Sequence, residues 1–222
     1  MFRKAPSVST APDKNSIICP LCGNKGHAFW KDIFLSCNVC SAIFRTPGSL
    51  LAPEAEKKRY ETHLNDVYDT KYRQFVSPLT NAVMSEFTPD SIGLDFGAGT
   101  GPVISKVLEE NGYVVKQYDP FFHNTLELLQ KKYDYIVCCE VIEHFYSPRQ
   151  EFELLYELLK PGMKMYCMTH IFTPDICFDK WYYKNDPTHV FIYRKETFDW
   201  IKKHFDYSAV IIEERLIRFV KR

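Results

Sequence analysis

The chain has 222 residues, 45% of them hydrophobic and 25% charged, with 28 basic and 28 acidic side chains that cancel to a net charge of zero. That length suffices for one full α/β domain plus a small appendage. The balanced charge excludes a global field drawing the chain to nucleic acid or membrane, and no apolar run approaches the roughly 18 residues of a membrane span.

Residues 1–16 are polar, contain Pro and Ser, lack an apolar signal core, and read as a disordered lead-in. Two C-x-x-C knuckles follow, Cys19–Cys22 and Cys37–Cys40, with 14 residues between them. Four thiolates at that spacing suit tetrahedral zinc, and Gly23 relieves the turn after the first knuckle. The alternative, two disulfides, needs an oxidising compartment for which the sequence carries no address. The expectation is a zinc ribbon over 17–48 in a cytoplasmic protein, with the metal as its main source of folding energy. Cys138, Cys139, Cys167 and Cys177 stand in apolar strand-like or loop contexts and read as small packing residues rather than metal ligands. Residues 49–88 read as a helical linker or lid. Tyr60, His63, Asn65, Tyr68, Tyr72 and Phe75 recur there near helical spacing, which fits an aromatic face packed on a sheet or a cover over a site.

From Ile92 a short apolar run leads to Asp95, and glycines then fall at 97, 99 and 101 around Ala98 and Thr100. Pro102 suits the first turn of a helix, and Val103, Ile104, Val107 and Leu108 give that helix one apolar face. A dinucleotide loop, G-x-G-x-x-G, would carry its third glycine where Pro102 stands. The spacing D-x-G-x-G-x-G instead resembles motif I of the class I S-adenosylmethionine-dependent methyltransferases. That resemblance implies a doubly wound, Rossmann-like α/β domain over 89–222, of the seven-stranded type. It sets Asp95 against the cationic methionine end of the cofactor and Gly97, Ala98, Gly99 and Gly101 along it.

Later landmarks agree in order. Tyr113 to Tyr118 is a second strand ending in Asp119, 18 residues past Gly101 and placed to accept from ribose hydroxyls. A plain Asp-Pro turn is the other reading of Asp119-Pro120. Phe121 and Phe122 follow as covers for an adenine. Tyr135 to Cys139 reads as a buried strand, and the E-V-x-E-H run 140–144 resembles the ubiquinone-pathway methylases. The resemblance brings Cys138, Cys139 and Glu140 beside the cofactor. Leu158 to Met163 resembles the family's turn into the fifth strand. Only 14 residues separate Asp119 from Asp134, so the third strand is expected to be missing or reduced. Residues 209–212 and 216–220 form the last two strands, an antiparallel hairpin in family members.

Methyl transfer to oxygen or carbon generally needs a base, and His189, His144 and His170 lie at strand ends or nearby loops, with His189 the first choice. In the family the segment before motif I folds over the cofactor, which brings Tyr60 and His63 towards it. Glu140, Glu143 and His144, at i, i+3 and i+4, offer one helical face to a divalent ion; two acids at a helix start also simply complement its dipole. The preferred function is methylation of a small-molecule acceptor. A ribosomal RNA guanine methyltransferase family also has an amino-terminal zinc ribbon, so RNA methylation is the alternative, although this ribbon is not conspicuously basic. A third reading is a non-catalytic cofactor-binding or zinc-mediated interaction protein.

Overall fold

The structure, a computed structural model, describes residues 17–62 and 65–222. The expected lead-in 1–16 and the candidate contact His63 lie outside the described residues. The ribbon consists of β1 (Gly26–Trp30), β2 (Phe34–Cys37) and β3 (Ile43–Arg45). Helices α1 (Pro53–Glu61) and α2 (Thr70–Glu86) follow, so the linker expected as one helical segment is broken in two. The Asp69 carboxylate starts the second helix by accepting from the backbone N–H of Lys71 at 2.8 Å. Val76, Leu79 and Val83, spaced for one helical face, are buried.

The main sheet has six strands in the order β5-β4-β6-β7-β10-β9. They are β4 (Ile92–Phe96), β5 (Val114–Tyr118), β6 (Tyr133–Cys139), β7 (Leu159–Met168), β9 (Tyr207–Glu213) and β10 (Leu216–Lys221). The first four run parallel, and β10 is antiparallel to both β7 and β9. The expected hairpin is therefore present and the third strand is absent. Residues 120–132 instead make a bridge between Asp119 and His123 and a 3-10 turn at Leu126–Gln130, leaving β5 as the sheet edge.

Both faces of the sheet are covered, as a parallel sheet requires. Along β6, Tyr135 and Val137 join the core beneath α2 and α3 (Val103–Glu110). The alternate residues Ile136 and Cys138 join the core beneath α4 (Pro148–Leu158) and α5 (Lys195–His204). Among the described residues no helix is long and apolar enough to cross a membrane.

The ribbon is not a bead on a string. Its sheet has the order β1-β2-β3-β8, and β8 (Phe191–Ile192) comes from the segment between β7 and α5. A separate aromatic core joins the two: Phe34 and Ile43 of the ribbon pack with Phe178, Trp181, Tyr183 and Ile192.

Candidate active site

Strand order reverses at β4, whose neighbours β5 and β6 follow it on opposite sides, and a crevice opens beyond the carboxyl ends of the strands there. A cavity of about 380 Å³ fills it. Of the residues singled out in the sequence, Asp95, Gly97, Ala98, Gly99, Gly101, Asp119, Pro120, Phe121, Cys139, Glu140, Tyr60, His144 and His189 line that one space.

Asp95 is almost wholly buried and accepts from the Ser105 hydroxyl at 2.7 Å. Burial pushes its carboxyl up to about 6. Asp119 organises the loop: Oδ1 accepts from the N–H groups of Phe121 (2.8 Å) and Phe122 (3.1 Å), and Oδ2 from that of Gly99 (3.0 Å). Gly99 has a φ of +65°, and a Cβ there would point into open space. Its bare backbone is thus offered to a ligand. Gly101 serves otherwise, because a side chain there would collide with the main-chain carbonyl of Asn65. The third glycine admits the cover rather than the ligand. Glu56 and Tyr60 of α1 complete that cover, joined by a 3.0 Å bond from the Tyr60 hydroxyl.

Three expectations need correction. Cys138 does not reach the cavity; alternation along β6 turns it to the opposite face, fully buried, and only Cys139 lines the site. His170 lies outside the cavity lining, with its Nε2 and the Tyr182 hydroxyl 2.7 Å apart. Glu140, Glu143 and His144 do not share a helix face, because Glu140 has a φ of +52° and the 3-10 turn begins only at Ile142. Glu140 pairs with Arg215 at 2.6 Å. Burial, reinforced by the nearby Glu143 charge, raises its carboxyl to about 8.

The two remaining histidines face each other with ring centroids 5.0 Å apart. Nδ1 of His144 lies 2.9 Å from the Thr188 carbonyl, and Nδ1 of His189 lies 2.7 Å from that of Tyr183. A carbonyl only accepts, so both Nδ1 atoms carry the proton and both Nε2 atoms keep a lone pair. Burial lowers the His189 imidazole to about 3 and lowers His144 as well. Behind them Glu143 accepts from the hydroxyls of Tyr183 (2.5 Å) and Thr169 (3.1 Å) and is fully buried. A ring nitrogen of each histidine and a carboxylate oxygen of Glu143 lie within 4.8 Å of one another.

At the other end of the chain, Cys19, Cys22, Cys37 and Cys40 bring their sulfurs within 4.8 Å of one another. The Cys19–Cys40 and Cys22–Cys37 pairs stand at 3.5 and 3.3 Å. Zinc–sulfur bonds of about 2.3 Å put tetrahedral sulfurs about 3.8 Å apart, so the cluster is compatible with a zinc ribbon.

Asn65, Tyr72 and Phe75 of the aromatic segment also reach the cavity. Sequence reasoning missed Glu56, Tyr146 and Ser105. The first two reach the cavity from separate elements. Ser105 sits ten residues beyond Asp95 on the helix after the loop, which was a readable spacing.

A profile described as "Methyltransferase domain" matches residues 68–211, and the chain belongs to that family. No curated protein matches the chain. Among solved structures it is similar to an S-adenosylmethionine-dependent methyltransferase from Archaeoglobus fulgidus, at 20% identity and TM-score 0.51, covering 64% of this chain and 72% of that one. It is also similar to human N-acetylserotonin methyltransferase in complex with S-adenosylmethionine, at 10% identity and TM-score 0.52, covering 76% and 56%. These likenesses carry the fold. The family makes the protein a methyltransferase.

Proposed function

We propose that the protein methylates a small-molecule acceptor at oxygen or carbon, with Asp95 and Asp119 holding the cofactor and the His144–His189 pair receiving the acceptor. The supporting observation is that pair: two neutral imidazoles on the wall of the cofactor cavity, each fixed through Nδ1 with Nε2 left to accept. When bound, S-adenosylmethionine supplies an electrophilic methyl on a cationic sulfur. Asp95 suits that charge. Asp119 has spent three of its roughly four acceptor positions on backbone N–H groups, which leaves room for one ribose hydroxyl rather than two. An imidazole so hard to protonate is a poor base towards a free hydroxyl. It suffices here because an oxygen that gains a methyl group becomes strongly acidic and gives up its proton readily. The cover formed by α1 keeps water from competing.

Calorimetric titration with S-adenosylmethionine and, separately, NAD tests the cofactor half; micromolar binding of the first alone is the expected result. Screening small phenols and hydroxylated acids, with RNA as the comparison, tests the acceptor half. Turnover of RNA alone would overturn it. Binding without turnover of any acceptor would favour a non-catalytic role.

The raised carboxyls predict a pH dependence. At neutrality the free site holds a proton mainly on Glu140, raised to about 8, while Asp95, raised to about 6, takes one up only as the pH falls towards 6. A cationic ligand favours the ionised forms, so affinity for S-adenosylmethionine rises between about pH 6 and 8. Binding at pH 7 releases protons, visible in calorimetry as a dependence on buffer ionisation enthalpy. S-adenosylhomocysteine, whose sulfur is neutral, releases fewer. Identical proton counts for the two ligands would show that the sulfonium does not face these acids.

A second reading is supported by the approach of Glu143, His144 and His189: a divalent ion there would orient an acceptor with neighbouring hydroxyls. Glu140, engaged by Arg215, is not in that group. This reading requires a metal equivalent beyond the ribbon's, lost in His144→Ala and His189→Ala.

A further inference from the structure

The ribbon holds the loop that carries His189 through one residue in particular. Strand β3 pairs with β8 at Ile43↔Ile192 and Phe44↔Phe191, so the ribbon sheet ends two residues from His189. Arg45 closes β3. Its backbone N–H donates to Val190 at 2.9 Å. Its Nε donates to the His189 carbonyl at 3.0 Å, and its Nη2 to the carbonyls of Lys184 (3.0 Å) and Asp186 (3.1 Å). Three carbonyls thus converge on one planar fork, a geometry that lysine cannot reproduce. The Phe34 ring of the ribbon backs the guanidinium at 4.7 Å.

The gathered loop is the one that aims both histidines. Tyr183 and Thr188 supply the carbonyls that fix Nδ1 of His189 and His144. Asp186 shapes the same turn by accepting from Thr188 and pairing with Arg59 of α1 at 2.8 Å. The clasp is reciprocal. Arg194, at the start of α5, reaches back to the Ser41 carbonyl (3.2 Å) and the Ser36 hydroxyl (3.4 Å), beside Cys40 and Cys37. Arg45 itself does not line the cavity.

We propose that the ribbon is the positioning element of the acceptor site: Arg45 gathers the 184–190 loop, that loop sets the directions of the His144 and His189 rings, and a metal on the four cysteines holds Arg45 in place. Arg45 is a positioning residue, acting through main-chain carbonyls without touching a substrate. The proposal rests on reading the histidine pair as the groups that face the acceptor. It gives the ribbon a task inside the enzyme, with no nucleic acid required.

The test uses the full chain with Arg45→Met, which keeps an unbranched apolar stem and removes the donors, and Arg45→Lys, which keeps the charge. The direct readout is the imidazole carbon–proton NMR signals of His144 and His189, which need neither cofactor nor acceptor. In Arg45→Met these two signals shift or split while affinity for S-adenosylmethionine is unchanged. Once an acceptor is known, kcat falls by about 10²-fold, the scale of a 1 Å misplacement, and Arg45→Lys falls between. Stripping metal from the unmutated protein with a chelator reproduces the Arg45→Met spectrum. Ring signals that superimpose on the parent's, in the variants and in the chelated protein, overturn the proposal. If Arg45→Met does not fold, Arg45→Lys decides by the same signals. Failure to methylate any small molecule would count against the proposed function yet leave the ring signals to judge the clasp.

Discussion

Asp119→Ala is expected to weaken S-adenosylmethionine binding by at least about 10-fold and to lower the melting temperature by about 5 °C. The size follows from what the carboxylate does before any ligand arrives. It satisfies the N–H groups of Gly99, Phe121 and Phe122 at once, joining the glycine loop to the turn after β5. Removing it orphans three donors at a nearly buried position, at about 1–3 kcal/mol each if water cannot reach them. The cavity lets water repair part of this, so about 2 kcal/mol is expected, or about 5 °C at this chain length. The loop also loses the conformation that offers Gly99 to the ligand, and a tenfold loss of affinity needs only about 1.4 kcal/mol.

Asp119→Asn separates this view from a simple ribose contact. The amide oxygen still takes Phe121 and Phe122, but its NH2 group then meets the Gly99 N–H, donor against donor. An isosteric change should therefore cost stability as well as affinity. If Asp119→Asn melts with the parent protein and loses affinity alone, the residue is a ligand contact and no more. Unchanged cofactor affinity in both Asp119→Ala and Asp95→Ala would remove the basis for assigning this cavity to the cofactor.

Such local determinants were legible in the sequence because each is written in neighbouring residues. The acid-and-glycine spacing after Ile92, the acid after Tyr118 and the short gap to Asp134 each constrain a few contiguous residues, and all three correspond to features of the fold. What could not be read was set by partners far along the chain. Gly101 looks like part of the ligand cradle until Asn65 is seen lying over it. Glu140 reads as the start of a helix until its left-handed backbone turns it towards Arg215, 75 residues away. Cys138 and Cys139 are adjacent in sequence and opposed in space because strand alternation separates them. Arg45 gave no signal: a lone arginine after a short apolar strand resembles any surface cation, and its three carbonyls lie about 140 residues on.

The same long-range joinery governs what the cysteines should do. Replacing any of Cys19, Cys22, Cys37 or Cys40 by serine is expected to abolish binding of one zinc per chain and to lower the melting temperature by about 10 °C or more. Structural zinc supplies about 10–16 kcal/mol in isolated fingers. Here the loss is smaller, because β3 stays paired with β8 and Phe34 and Ile43 stay packed against Phe178 and Trp181. A residual loss of at least about 4 kcal/mol, at 2–4 °C for each, gives the expected shift. Serine at Cys138, Cys139, Cys167 or Cys177 should leave the metal count untouched, since none of these four belongs to a potential metal-binding cluster among the described residues. Metal analysis of the purified chain therefore has three informative values. One equivalent, lost only in the ribbon variants, supports the zinc ribbon alone. Two, with the second lost in His144→Ala or His189→Ala, support a divalent ion at the acceptor site as well. None, in a chain that still folds, would mean that the knuckles hold their shape through the shared sheet and aromatic core, and that Arg45 is held by packing rather than by a metal.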